Sequence, residues 1–173
     1  HPVAHSFPTR RSSDLVILGG HSAGGRVAIE SASKAFFPHL AGAFAYAAHT
    51  AGGVNNGYEP GTILALPDSL PLLLLGGTQD GVIANSSHRY GIDWETATIP
   101  ILRTFQEGIS GGRGDSYLVC LEGANHFSIT HPLDTTTGTT FLDFPATQPE
   151  PEIRSLMAKI IGLFMQAHIM EKP

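Results

Sequence analysis

Charge is scarce in this 173-residue sequence: Asp, Glu, Lys and Arg together make up 14%, and 10 basic against 15 acidic residues leave a formal net charge of −5. There is no basic field to draw nucleic acid, so nucleic-acid partners are excluded. Cysteine is nearly absent; the one copy, Cys120, excludes an internal disulfide and leaves the compartment, cytoplasmic or secreted, undecided. No apolar run approaches the roughly 18 residues that cross a bilayer. No repeat is present. What the sequence does have is a 42% hydrophobic composition and 20 glycines, which fits one globular domain.

The glycines cluster informatively. Val16-Ile17-Leu18 is strand-like and runs into Gly20-His21-Ser22-Ala23-Gly24, followed by the helix-forming segment Arg26–Ala32. This is a G-x-S-x-G nucleophile elbow: a strand-to-helix turn so sharp that Gly20 and Gly24 leave room where side chains would clash. Ser22 sits strained at the tip, and the new helix aims its free N–H groups, that of Ala23 first, at any oxyanion formed beside it. No Lys follows the last glycine, as a phosphate-binding loop requires. Nor do Gly19, Gly20, Gly24 and Gly25 have dinucleotide-binding spacing. The remaining alternative is a plain glycine-rich turn with a surface serine.

A serine hydroxyl needs a base to take its proton and an acid to orient that base. Two later strand-like runs end in those residue types. Pro71–Leu75 opens through Gly76-Gly77-Thr78-Gln79 onto Asp80, and Tyr117–Leu121 leads through Glu122-Gly123-Ala124-Asn125 to His126. In a parallel α/β sheet, ligands and reactive groups gather beyond the carboxyl ends of strands. Asp80 also fits an ordinary Asp-Gly turn, and His126 an ordinary loop histidine. Eight other histidines compete with it. His131 is the nearest substitute base. His21 adjoins Ser22 with its side chain turned away, and His49 follows a strand next to that of the serine; these two are the candidate substrate-binding residues. His168 falls on the apolar face of the last helix and is read as structural. Asp134 and Asp143 bracket a Thr-rich segment whose spacing matches no calcium-binding EF-hand, so it is read as a solvated loop.

Gly-His-Ser-Ala-Gly-Gly, Gly-Gly-Thr-Gln-Asp-Gly and Gly-Ala-Asn-His-Phe resemble the three catalytic blocks of the α/β-hydrolase superfamily. The likeness is greatest to its dienelactone-hydrolase-like, cutinase-type polyesterase and chlorophyllase-like groups. It runs from about Val16 to the C-terminus and implies Ser22 as nucleophile, Asp80 as acid and His126 as base, in the chain order of that superfamily. True dienelactone hydrolases use cysteine where this chain has Ser22. Cys120, inside an apolar strand, is expected to be a small core residue.

His5–Leu15 resembles the translation of a common sequencing-library adapter. Residues 1–15 are therefore expected to be a non-native leader, and residues 16–173 a partial α/β-hydrolase domain. The resemblance implies that the strands preceding the elbow are missing, and with them a second oxyanion donor. One such donor is worth about 2.7–4 kcal/mol to the transition state. The 173 residues alone are accordingly expected to be nearly inactive and, with an apolar edge at Val16, poorly soluble.

The fold class expected is α/β, the C-terminal half of an α/β-hydrolase: a mostly parallel sheet flanked by helices. After the elbow come a strand at Leu40–Ala47, a Gly/Pro-rich loop at Thr50–Leu70, and the strand opened by Pro71. Helical pieces are expected at Asn85–Arg89 and Pro100–Ile109, then a break at Gly111–Gly114. The Tyr117 strand and a loop at Phe127–Pro149 follow. A closing helix shows Ile153, Leu156, Met157, Ile160, Leu163 and Phe164 at helical spacing. The expected function is a serine esterase acting on a small-molecule or polymeric ester through an acyl-enzyme, with no cofactor and no metal. An amidase or peptidase with the same residues, or a non-catalytic binding protein of the same fold, are the alternatives.

Overall fold

The computed structural model describes residues 14–109, 113–133, 135–136 and 140–169. Residues 1–13 of the expected leader, Gly111 and Gly112 of the expected break, and Asp134 lie outside them. Four strands, β1 (Val16–His21), β2 (Leu40–Tyr46), β3 (Leu72–Gly77) and β4 (Tyr117–Leu121), form one sheet in the order β1-β2-β3-β4. Every neighbouring pair is parallel. Helices α1 (Ser22–Glu30), α2 (Gly81–Asn85), α3 (Ile99–Arg103) and α4 (Glu150–Ile169) lie in the connections and at the end. The chain is thus of the α/β class.

β3 explains the arrangement best. Leu72, Leu73, Leu74 and Leu75 are all essentially inaccessible, as expected for an unbroken apolar run covered on both faces. Pro71 starts it where no N–H is needed, its carbonyl accepting from Ala43 N at 3.1 Å. The register Ala45↔Leu74 and Leu74↔Leu118 brings the strand ends level. The three chemically interesting segments therefore leave the sheet at one rim.

The outer elements depart from the sequence expectations. Among the described residues β4 pairs only with β3 and is an edge strand, so Cys120 is exposed rather than packed in the core; Leu121 beside it is buried. On α4, Ile153, Met157 and Phe164 are buried, but Leu156 and Leu163 remain 48% and 56% exposed. At roughly 100° per residue the two leucines lie about 60–80° round the helix from Ile153, on the flank of its stripe. The Pro100–Ile109 helix is divided: α3 gives way to a π-helical turn at Thr104–Gly108. There Thr104 Oγ1 accepts from Thr50 N at 2.9 Å and donates to Pro100 O at 2.8 Å. Among the described residues, no helix is long and apolar enough to cross a membrane.

Candidate functional site

Ser22 begins α1 directly after β1, with φ +54°. A non-glycine residue reaches this left-handed region only where its surroundings impose it. The turn is closed by backbone against backbone: a Cβ on Gly20 would lie 2.4 Å from the carbonyl carbon and oxygen of Gly24. Gly24 itself has nothing within 4 Å of a Cβ position, so of the two motif glycines only Gly20 is sterically required. Among the described residues no side chain caps α1, and its first turn holds no acidic residue. The free N–H groups there, Ala23 among them, are left to the space in front of Ser22.

Asp80 lies three residues beyond β3 and caps α2, its Oδ1 accepting from Ile83 N at 2.8 Å. It is completely inaccessible, and His126 is 3% exposed. The His126 Nδ1 meets Asp80 Oδ2 at 2.8 Å and Oδ1 at 3.0 Å. With Nδ1 engaged by a carboxylate, the neutral ring carries its proton there, leaving Nε2 as the basic nitrogen. Ser22 and His126 line one cavity, of about 210 Å³. The Ser22 hydroxyl makes no hydrogen bond among the described residues. His131, the alternative base, is exposed and does not line this cavity.

The turn that carries His126 is tied down by residues from across the molecule. The buried Tyr46 hydroxyl donates to the Asn125 carbonyl. Ser128 Oγ accepts from Asn125 N at 2.8 Å and donates to Asn125 Oδ1 at 2.9 Å. His21 Nε2 lies 2.8 Å from the His126 carbonyl, so it is the donor, and its ring centroid sits 4.7 Å from that of His126. His21 is therefore packed behind His126 and is not among the residues lining the cavity. Burial holds its ring below the ordinary histidine range, and the neighbouring His126 adds to this.

Asp143 completes the frame, and sequence reasoning missed it. Its Oδ1 accepts from Gly81 N at 2.9 Å, Phe144 N at 3.0 Å and His126 N at 3.2 Å, and its Oδ2 accepts from Phe127 N at 3.2 Å. One half-buried carboxylate thus joins the residue after Asp80 to His126 itself. Burial pushes this carboxyl above its usual range, against three of those N–H groups, which pull it down. Asp143 was expected to border a solvated loop; its carboxylate instead braces two turns. Nothing local in the sequence signals this, because the partners on the two turns are 16 to 62 positions away.

His49 lies on the wall of the same cavity with Ala47, Ala48 and Tyr90, while Arg26 and Arg89 supply its positive charges. Arg26 is already engaged, with Glu30 and with the Ala51 carbonyl, both at 2.8 Å. Among the described residues no group of three or more His, Cys, Asp or Glu side chains is placed to hold a metal ion. His168 packs against Phe164, with ring centroids 4.7 Å apart, on the far side of the fold. Comparison of the chain with protein-family models and with curated proteins finds no match.

Proposed function

We propose that this chain is a serine hydrolase of carboxylic esters, and that its four strands correspond to the second half of an α/β-hydrolase sheet. One observation carries the reading: a buried Asp80–His126 pair faces the cavity into which a strained turn presents Ser22. His126 Nε2 takes the Ser22 proton as the oxygen attacks the ester carbonyl. Asp80 holds the ring and stabilises the imidazolium that forms. The tetrahedral oxyanion is met by N–H groups at the start of α1, that of Ala23 in particular. The imidazolium then gives its proton to the departing alcohol. Water, deprotonated in its turn by His126, hydrolyses the acyl-enzyme.

Ser22 and His126 share the cavity without a hydrogen bond between them, a contact that commonly tightens only with substrate bound. The resemblance of the three sequence blocks to the α/β-hydrolases supports the same assignment, and with it a sheet continued by strands upstream of β1. The test is made on the gene product with its natural upstream sequence. Ser22→Ala should lower turnover of a p-nitrophenyl ester by about 10⁶-fold and end labelling by a fluorophosphonate, with the circular dichroism spectrum unchanged. Turnover that survives the substitution rules the proposal out.

A further inference from the structure

We propose that His49 is a hydrogen-bond donor to the substrate. Its Nε2–H takes an acceptor oxygen a few bonds beyond the scissile carbonyl, so the site selects esters bearing a second oxygen over hydrocarbon esters of the same shape. The position of the scissile carbonyl rests on the serine-hydrolase reading above; the state of His49 rests on its own surroundings.

Ala51 N donates to His49 Nδ1 at 3.2 Å. A ring nitrogen that accepts carries no proton, so in the neutral ring the proton is on Nε2. Nε2 makes no hydrogen bond among the described residues, and it is not one of the sealed, unpartnered polar atoms, which are Trp94 Nε1 and His168 Nε2. His49 is 8% exposed, and it lines the cavity that holds Ser22 and His126. Its open nitrogen is thus reached from that space. A poorly hydrated N–H seeks an acceptor, and the cavity's occupant is the available source.

The ring is also held still. Tyr90 and Trp94 meet it edge-on, at 4.9 Å and 80° and at 5.0 Å and 76°, and they stack on each other at 4.9 Å. A donor fixed this way costs little further ordering when substrate binds. Burial first, and then the charge of Arg26, bring the ring's pKa down to about 3. His49 therefore stays a neutral donor down to acidic pH. The strands bring the two residues to one place. His21 pairs with Tyr46, the last residue of β2, and beyond it the chain bends at Ala47, whose φ is +55°. His49 follows two residues on and lines the same cavity as Ser22. The methyl groups of Ala47 and Ala48 form the wall between.

Two isosteric substrate pairs test the proposal on the same full-length gene product. In the acyl arm, p-nitrophenyl methoxyacetate is compared with p-nitrophenyl butanoate; in the alcohol arm, 2-methoxyethyl with butyl esters of one acid. Each kcat/KM ratio is divided by the corresponding ratio for hydroxide, which removes intrinsic reactivity. The expected result is a preference of about tenfold for the oxygen-bearing member in one arm, the free energy of a single hydrogen bond. It should fall to about one in His49→Phe and partly return in His49→Gln, whose amide still donates. Nitrogen-15 NMR should find the Nε2–H tautomer of His49 from pH 5 to 9. Ratios near one in both arms, a ratio unmoved by His49→Phe, or the Nδ1–H tautomer would each overturn it. Undiminished turnover by Ser22→Ala would instead remove the hydrolase reading, so the two failures are separable.

Discussion

The Ser22 turn and the His126 turn stand at the same rim of the sheet and are held by opposite means. The first is secured by main chain packed on main chain, Gly20 against Gly24, with no side-chain cap. The second is secured by side chains: Tyr46, Ser128, His21 and Asp143 all bond its backbone. A steric turn is specified within a few consecutive residues. A hydrogen-bonded turn is specified by residues scattered along the chain, so each of its supports can be removed singly.

The contrast can be broken at either end. Gly20→Ala carries the largest expected effect, because the new methyl would have to displace main chain rather than a pliant side chain. We expect a loss of about 3 kcal/mol or more, read from the urea midpoint, together with loss of Ser22 labelling. Asp143→Asn should cost less, about 1.5–3 kcal/mol for hydrogen bonds to a charged group. It should lower kcat more than KM, since it loosens His126 without touching the cavity; an unchanged kcat would reduce Asp143 to a structural role.

These two residues also mark what could be read from the sequence. The strand-to-helix turn, the four strands and the meeting of Asp80 with His126 were legible because short motifs and apolar runs carry them. Asp143 was not, since a carboxylate bonding backbone N–H groups leaves no pattern in the types of its partners. Cys120 and Leu156 were misjudged for a related reason. An apolar strand or helix face looks the same in sequence whether or not something covers it, and β4 is an edge.

A smaller effect sharpens the contrast through acid. His21 and His49 are both held below the ordinary histidine value, His49 down to about 3. In each case the unfolded chain takes up a proton that the folded chain refuses, so their contribution is intact above about pH 6.5 and is lost as pH falls. Stability measured by urea should decline from pH 7 toward pH 4, and less steeply in His21→Gln. A slope unchanged by that substitution would place the acid sensitivity elsewhere. Gly24→Ala should do least: with open space around the added methyl, it should stabilise α1 by up to about 1 kcal/mol. A fall in the thermal midpoint would show that the elbow needs both glycines.

The outward-facing Cys120 has a practical consequence. It is the protein's single thiol, exposed on an outer strand six positions before His126, and partial burial raises its pKa. One dye or spin label can therefore be attached at alkaline pH without engineering the chain. Its signal would report, in real time, whether the adjacent segment moves when the proposed ester substrate is added.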